Sequence, residues 1–179
     1  AGLELYQYLS LMYSGRQKLN GDLKFPTPVF NIINGGEHAK NKLSFQEFMV
    51  IPALNTPYNK ALQMGANIYK DLKKILLKED FETGVGDEGG FEPQGLSART
   101  ALDFLEQAAS VQYEPGNDVF FGLDIAAGSF YENGKYCIDE ENLELSSDEV
   151  IKYYQDIFMH YKIIYLEDPM FERDEFGWT

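Results

Sequence analysis

Cysteine is almost absent from this sequence, and long apolar runs are missing altogether. Cys137 is the only cysteine among the 179 residues, so no disulfide can form within the chain. Such cysteine usage is typical of a reducing compartment, and we predict a cytoplasmic location. No segment approaches the roughly 20 apolar residues that a membrane-spanning helix needs, so we predict no membrane span. Ala1 precedes an amphipathic run without a basic start, and we expect no signal peptide at this end.

Basic residues are also scarce. The chain has 15 Lys and Arg against 29 Asp and Glu, which gives a formal net charge of −14. A chain this acidic repels a phosphate backbone, so we expect no nucleic-acid partner. The acidic surface commonly serves solubility alone, but clustered carboxylates also bind hard cations. Composition leaves both alternatives open.

Several common catalytic motifs are missing. There is no P-loop and no Gly-x-Gly-x-x-Gly after a strand, and no Ser-His-Asp arrangement or nucleophile elbow. With only two histidines and one cysteine, a zinc site is disfavoured. The abundant carboxylates favour Mg²⁺ or a similar hard ion instead.

The pattern of apolar residues predicts an α/β fold. Helices are predicted at about residues 2–13, in two segments around 62–76 and 98–109, and after a capping box at Ser146–Glu149. The predicted strands are Val29–Ile33, Phe45–Ile51, Val119–Asp124, Tyr136–Ile138 and Ile163–Leu166. Inward-facing positions are expected at Leu62, Gly65, Ala66, Tyr69, Leu72 and Leu76, at Ala98, Ala101, Leu102, Leu105, Ala108 and Ala109, and at Val150, Ile151, Tyr154, Ile157, Phe158 and Tyr161.

Connection lengths predict how the strands pair. About eleven residues without a helical period separate the first two strands, which is too short for a parallel crossover, so these strands should be antiparallel. A helix lies between Val119–Asp124 and Ile163–Leu166, which predicts a parallel βαβ unit. The order strand, strand, helix, helix, strand, helix, strand indicates an α/β barrel that stops about halfway, since a complete barrel has eight strands.

Two strands of this predicted sheet end in carboxylates. Asp124 and Glu167 each close a strand of the parallel unit, so both should lie at the carboxyl end of the sheet, where barrel enzymes place their active sites. Alone, either residue could simply cap the following helix. For both in consecutive units, a site and a pair of caps are equally compatible with the sequence.

Three further groups should face the same end. His38 follows the first strand, Glu47 lies early in the antiparallel second strand, and Glu88 lies in a glycine-rich loop, residues 84–93. There are simpler explanations for two of these groups. His38 could be a surface histidine in a turn, and the glycines around Glu88 could serve only to shape the loop. Glu47 is informative if it points inward, because Glu is almost never buried without a cation or a donor nearby; pointing outward, it is the polar half of an alternating strand.

Five segments occur together in an order and spacing that resemble the enolase family. They are Asn31–Ala39, Gln46–Met49, Gly86–Phe91, Leu123–Ala127 and Leu166–Pro169. The resemblance covers the whole chain. It implies that residues 1–22 are the last helix and linker of an N-terminal domain, and that residues 23–179 are the first half of an enolase-type TIM barrel with its unusual ββαα start.

The resemblance implies an activity and its residues. The family is a glycolytic, cytoplasmic lyase that dehydrates 2-phosphoglycerate reversibly to phosphoenolpyruvate with Mg²⁺, usually as a homodimer. Asp124 and Glu167 match two of the three carboxylate ligands of Mg²⁺. Glu88 matches the general acid, and Glu47 the carboxylate that cooperates with it and meets substrate. His38 and Gln46 match residues that contact substrate.

Other family residues have no counterpart among these 179. The third metal carboxylate, the lysine base and a phosphate-binding Arg-Ser pair are not matched, so we expect this chain to be inactive on its own. Muconate- and mandelate-type relatives carry Lys-x-Lys on the second barrel strand, whereas this strand reads Gln46-Glu47-Phe48. An alternative from a different class is a non-catalytic surface protein that binds plasminogen through lysines. The only lysine cluster that stands out in the sequence is the pair Lys73-Lys74.

Overall fold

A computed structural model describes residues 2–15 and 26–179. These residues form four helices, α1 (Leu5–Ser14), α2 (Tyr58–Lys78), α3 (Ala98–Ser110) and α4 (Ser147–His160). They also form seven strands, β1 (Phe30–Asn34), β2 (Glu47–Pro52), β3 (Val119–Asp124), β4 (Tyr131–Glu132), β5 (Lys135–Ile138), β6 (Leu143–Leu145) and β7 (Ile163–Glu167). The predicted α/β class is therefore confirmed.

Helix α1 confirms the first predicted helix. It ends at Gly15, whose left-handed backbone (φ 62°) accommodates the turn that terminates the helix. No residue of α1 is buried. The linker expected at the end of residues 1–22 and the predicted domain boundary between residues 22 and 23 lie outside the described residues, so both stay predictions.

Four strands build the main sheet in the order β1-β2-β3-β7. Strand β1 pairs antiparallel with β2, and β2 antiparallel with β3. Strands β3 and β7 are parallel, joined through α4 as the crossover rule requires. All the predicted pairings are confirmed. The sheet is open, as in a partial barrel: no closed barrel is present among the described residues.

A second, smaller sheet has the order β4-β5-β6. The sequence predicted only β5. The flanking strands have two and three residues and include Glu132 and Glu144, so they carry no apolar alternation long enough to detect.

Helices α2, α3 and α4 contribute to one apolar core with the main sheet. The strand residues of this core include Phe48, Val50, Phe121 and Leu123, all fully buried. The predicted stripe of α3 is confirmed at all six positions. The capping box Ser146–Glu149 that opens α4 is also confirmed.

The predicted inward faces of α2 and α4 are partly wrong. Leu62 and Ala66 are exposed, and the buried stripe of α2 instead contains Ala61, Met64 and Ile68 beside the predicted Gly65, Leu72 and Leu76. Two adjacent apolar stripes run along this helix. Packing on the sheet buries the stripe with Ala61, Met64 and Ile68 and leaves Leu62 and Ala66 outside. Phe158 of α4 is also exposed, because it lies one position beyond the buried Ile157.

No helix among the described residues is both long enough and apolar enough to span a bilayer.

A buried polar network ties the last ten residues to the small sheet and to α4. The carboxylate of Asp174 is buried and accepts hydrogen bonds from Tyr136 Oη (2.6 Å), Ser147 Oγ (2.6 Å) and Gly177 N (2.9 Å). Burial alone would raise the pKa of Asp174, but the hydrogen bonds from Ser147 and Tyr136 outweigh burial and hold that pKa below its usual range.

We predict that Asp174→Ala lowers the free energy of unfolding by about 3 kcal/mol, because it leaves buried hydroxyls without an acceptor. Urea unfolding at pH 7 measures this, with the exposed Glu175→Ala as the matched control. Since the folded-state pKa of Asp174 is lowered, its contribution is complete above the unfolded-state pKa and is lost as pH falls through the folded-state pKa. A change below about 0.5 kcal/mol for Asp174→Ala would contradict this account.

Strands β1 and β7 are the edge strands of the main sheet within the described residues. Phe91 pairs with the end of β1, whereas its start and β7 are open. Ile164 of β7 is 54% exposed and Val29, just before β1, is 44% exposed. Unpaired edge groups beside apolar side chains favour association with another edge. We therefore predict that the 179-residue polypeptide self-associates at micromolar concentration and that Ile164→Lys reduces the association.

Size-exclusion chromatography with light scattering checks this prediction. Leu54→Lys adds the same charge at a loop position that is 85% exposed, and it should leave the association unchanged. A monodisperse 20.4 kDa species for the unsubstituted polypeptide would show that the prediction is wrong.

Candidate active site

One polar row crosses the main sheet at the end where β1, β3 and β7 finish and β2 begins. Asn34 pairs with Glu47, Glu47 with Asp124, and Asp124 with Glu167. Direct cross-strand neighbours project from the same face and lie about 5 Å apart. Three carboxylates on adjacent strands are thus aligned at the predicted mouth.

A tight approach of two backbones brings His38 over this row. Gly35 N donates to Gln46 O (2.9 Å), and a Cβ on Gly35 would collide with the carbonyl oxygen of Phe45. Only glycine fits there. The chain then makes a short 3₁₀ turn, Gly36–His38, that places the imidazole beside the start of β2.

The glycine-rich loop brings Glu88 to the same place. Phe91 N donates to Ile32 O (2.9 Å) and Asn34 N donates to Phe91 O (2.8 Å), so the end of the loop lies along β1. Asp87 N donates to His38 O (3.3 Å). The loop is therefore anchored on both sides of Glu88.

His38, Glu47 and Glu88 form a compact cluster. His38 Nδ1 lies 3.3 Å from Glu88 Oε1 and 3.9 Å from Glu47 Oε1. One ligand atom from each residue falls within 4.8 Å of the others, which is a geometry able to hold a metal ion. The side chain of Glu47 is 16% exposed and that of Glu88 is 41% exposed, so the cluster has a buried and an open side.

The carboxyl groups of Glu47 and Glu88 are joined by a hydrogen bond, which requires a proton on one of them. Burial is the largest effect on Glu47; the hydrogen bond to Glu88 and the charges of Glu88, Asp124 and Glu167 add to it, and together they raise the pKa of Glu47 to about 8. The hydrogen bond from Glu47 in turn lowers the pKa of Glu88. At neutral pH the proton is therefore on the buried Glu47, which donates it to the more open Glu88.

Asp124 and Glu167 form the acidic end of the row. Burial, followed by the charge of Glu167, raises the pKa of Asp124. Asp124 accepts hydrogen bonds from Gln46 Nε2 (3.1 Å) and Ala126 N (3.1 Å), and Glu167 accepts one from Tyr165 Oη (2.8 Å). Two adjacent carboxylates with no counter-charge in the part of the chain that the structure describes fit a cation, and an all-oxygen donor set fits Mg²⁺.

The structure brings all the predicted site residues to one end of the sheet. His38, Glu47 and Glu88 are in contact, Gln46 contacts Asp124, and Asp124 lies beside Glu167. Glu47 points inward, which the sequence left open. Asp124 is not the cap of α4, since Ser146 caps that helix.

Sequence reasoning gave no role to Asn31, whose Nδ2 donates to Glu88 Oε2 (3.2 Å). An available signal was an asparagine inside a β-rich run, since Asn is depleted in strands.

The chain matches the model of a known protein family. The family model described as enolase, C-terminal TIM barrel domain, matches residues 22–179, which is most of the chain.

We predict that, without divalent ions, stability falls as pH rises from about 4.5 to about 8. Glu47 has its pKa raised to about 8 in the folded state, so in this window the folded protein holds a proton that the unfolded chain has lost. Glu47→Gln should remove most of this fall, about 2–3 kcal/mol, because each unit of pKa shift is worth about 1.4 kcal/mol and the proton is shared. Thermal unfolding in EDTA at both ends of the window measures this.

The exposed Glu79→Gln serves as the control for this pH dependence and should retain it. If the Glu47→Gln protein shows the same loss of stability with rising pH as the unsubstituted protein, Glu47 does not hold the proton.

Proposed function

We propose that this chain, which belongs to the enolase C-terminal TIM barrel family, takes part in the reversible, Mg²⁺-dependent dehydration of 2-phosphoglycerate to phosphoenolpyruvate. The observation that carries the proposal is the row of three carboxylates, Glu47, Asp124 and Glu167. Glu47 is hydrogen-bonded to Glu88 beside the row, and Asp124 and Glu167 have no counter-charge among the described residues. Dehydration needs these two features side by side: an acid for the leaving hydroxyl and a place for a cation.

The proton for the leaving hydroxyl comes from the Glu47–Glu88 pair. Glu88 is the open member, so its carboxyl oxygen reaches the substrate hydroxyl, while Glu47 holds the proton in reserve behind it. When Glu88 donates, the proton moves from Glu47 to Glu88 along their hydrogen bond. A raised pKa suits this use, because a general acid must still carry its proton at neutral pH.

Asp124 and Glu167 would hold Mg²⁺. Their row position and oxygen donors fit the ion, and Gln46 fixes the orientation of Asp124. When bound, Mg²⁺ stabilises the negative charge that builds on the substrate carboxylate as the neighbouring proton is removed.

His38 and Gln46 are proposed to contact the substrate. His38 Nδ1 lies 3.3 Å from Glu88 Oε1 and 3.9 Å from Glu47 Oε1, so the imidazole lies where a substrate would meet the acid pair. The short turn Gly36–His38 holds the ring beside Glu88.

The site as described has acids but no cationic base. Within residues 2–15 and 26–179, no Lys or Arg forms an ion pair with Glu47, Glu88, Asp124 or Glu167. We propose that the base and the remaining contacts come from outside these residues and that the 179-residue polypeptide alone has no turnover. General-base catalysis by itself raises a reaction rate about 10²- to 10⁴-fold, so the rate would fall at least that far without the base.

Plasminogen binding through lysines gains no support from the structure. In the pair Lys73-Lys74, the ammonium of Lys74 is 2.6 Å from Asp71 Oδ1.

We predict that the polypeptide binds Mg²⁺ with a Kd in roughly the millimolar range, because two carboxylates are few ligands for a hard ion. Calorimetry measures this binding. Asp124→Asn should weaken it at least about tenfold by removing a ligand charge, while Glu79→Gln, which removes the same charge at the end of α2, should not.

Substrate binding is tested by NMR with 2-phosphoglycerate. Resonances of His38 and Glu88 should shift only when Mg²⁺ is present, and the shifts should vanish in Asp124→Asn. No perturbation, or the same perturbation in EDTA, would overturn the proposed function. Phosphoenolpyruvate formation at 240 nm that Glu88→Gln abolishes would establish the activity and refute the proposed lack of turnover.

A further inference from the structure

Strand β1 contains a bulge that changes which of its residues share a face. Asn31 pairs with Met49 and Asn34 with Glu47, and the register shifts between Asn31 and Ile33. In a regular strand two residues three apart face opposite ways, but one inserted residue restores them to the same face. Met49 and Glu47 are two apart and share a face, so both asparagines project toward the site.

The two asparagines meet the glycine-rich loop directly under Glu88. A Cβ on Gly90 would collide with Asn34 Oδ1 and would lie 3.1 Å from Asn31 Oδ1. The amide of Asn34 is fully buried and has no hydrogen-bond partner among the described residues, and neither has Asn31 Oδ1. Among the described residues, the one polar contact that either amide makes there is the hydrogen bond that Asn31 Nδ2 donates to Glu88 Oε2, at 3.2 Å.

This arrangement fixes how the Asn31 amide is oriented. Its Oδ1 faces the close-packed backbone of Gly90, and its NH₂ group faces the carboxylate. The flipped amide would set an oxygen against the negative Glu88, which is unfavourable. Glu88 meanwhile is 41% exposed on a glycine-rich loop, where a long side chain gains up to about 2 kcal/mol of entropy by turning freely.

We propose that Asn31 is a positioning residue, whose amide holds the Glu88 carboxylate toward His38 and Glu47. The inference rests on the proposed function for its catalytic meaning, but the contact itself can be tested without turnover. Strand β1 is hydrogen-bonded to β2, so the amide is a rigid donor for a carboxylate on a less regular segment. It turns the open carboxylate toward the side chains of His38 and Glu47.

A second contact separates positioning of the carboxylate from support of the loop. Tyr69 of α2 stacks on Phe91 (ring centroids 4.2 Å apart), and its Oη donates to Gly89 O at 2.9 Å. Tyr69→Phe therefore removes a hydrogen bond to the loop backbone and leaves the carboxylate donor in place. Asn31→Leu removes the carboxylate donor and preserves side-chain size.

We predict distinct NMR signatures for these variants, measured in the Ile164→Lys background to limit association. The Asn31 side-chain amide should be protected from exchange with water, and its resonance should move in Glu88→Gln but not in the control Glu79→Gln. Asn31→Leu should shift the carboxyl carbon of Glu88 and average its side-chain couplings. Tyr69→Phe should move the Gly89 amide and leave the Glu88 carboxyl carbon unchanged.

Two results would overturn the proposal. One is a Glu88 carboxyl carbon that is the same with and without Asn31. The other is a shift of the Glu88 carboxyl carbon in Tyr69→Phe that equals the shift in Asn31→Leu. That result would mean that packing of the loop orients Glu88.

Where the protein in its active form turns over 2-phosphoglycerate, Asn31→Leu should lower kcat about 10- to 100-fold through misalignment of the acid, with KM changed less than about threefold. A Glu88 signature that depends on Asn31, in a protein that binds neither Mg²⁺ nor 2-phosphoglycerate, would refute the proposed function and retain the contact. A protein that binds Mg²⁺ and 2-phosphoglycerate but whose Glu88 signature does not depend on Asn31 would retain the proposed function and refute the positioning role of Asn31.

Discussion

Like charges held on neighbouring strands are the constraint on which this site depends. The register of three strands places Glu47, Asp124 and Glu167 side by side, and sheet geometry prevents them from moving apart. The chain reduces the repulsion by keeping a proton on Glu47 and by giving Asp124 two hydrogen-bond donors. What remains is an attraction for a cation and an acid that keeps its proton, and both follow from the same alignment.

The surrounding backbone holds this unfavourable arrangement in place. On the opposite face of β2 and β3, Phe48 and Leu123 are fully buried in the apolar core. Sliding either strand by one residue would exchange its core face for its polar face. The apolar residues thus fix the register, and the register fixes the acids. The close approach at Gly35 and the loop pairing at Phe91 then add His38 and Glu88 from outside the sheet.

The sequence carried enough information for the β1–β2 and β3–β7 pairings, for the helices and for the end of the sheet where the acids lie. Strand-terminal carboxylates such as Asp124 are readable because parallel units always present the same end. Whether Glu47 pointed inward was not readable, since strand alternation permits both faces. The buried stripe of α2 was also not readable, because Leu62 belongs to one apolar stripe and Ile68 to another. Tertiary packing alone chooses between two such stripes.

The bulge in β1 was invisible for a different reason. A bulge depends on two residues opposing one on the partner strand, and no pattern within β1 reports its partner. Without it, Asn31 and Asn34 would face opposite ways, and only one of them could lie under the glycine-rich loop. Their convergence explains why that loop needs glycine at position 90, where a side chain would collide with the amide of Asn34 and crowd that of Asn31. Glycine in the loop and asparagine in the strand are therefore two parts of one contact, and the contact ends at Glu88.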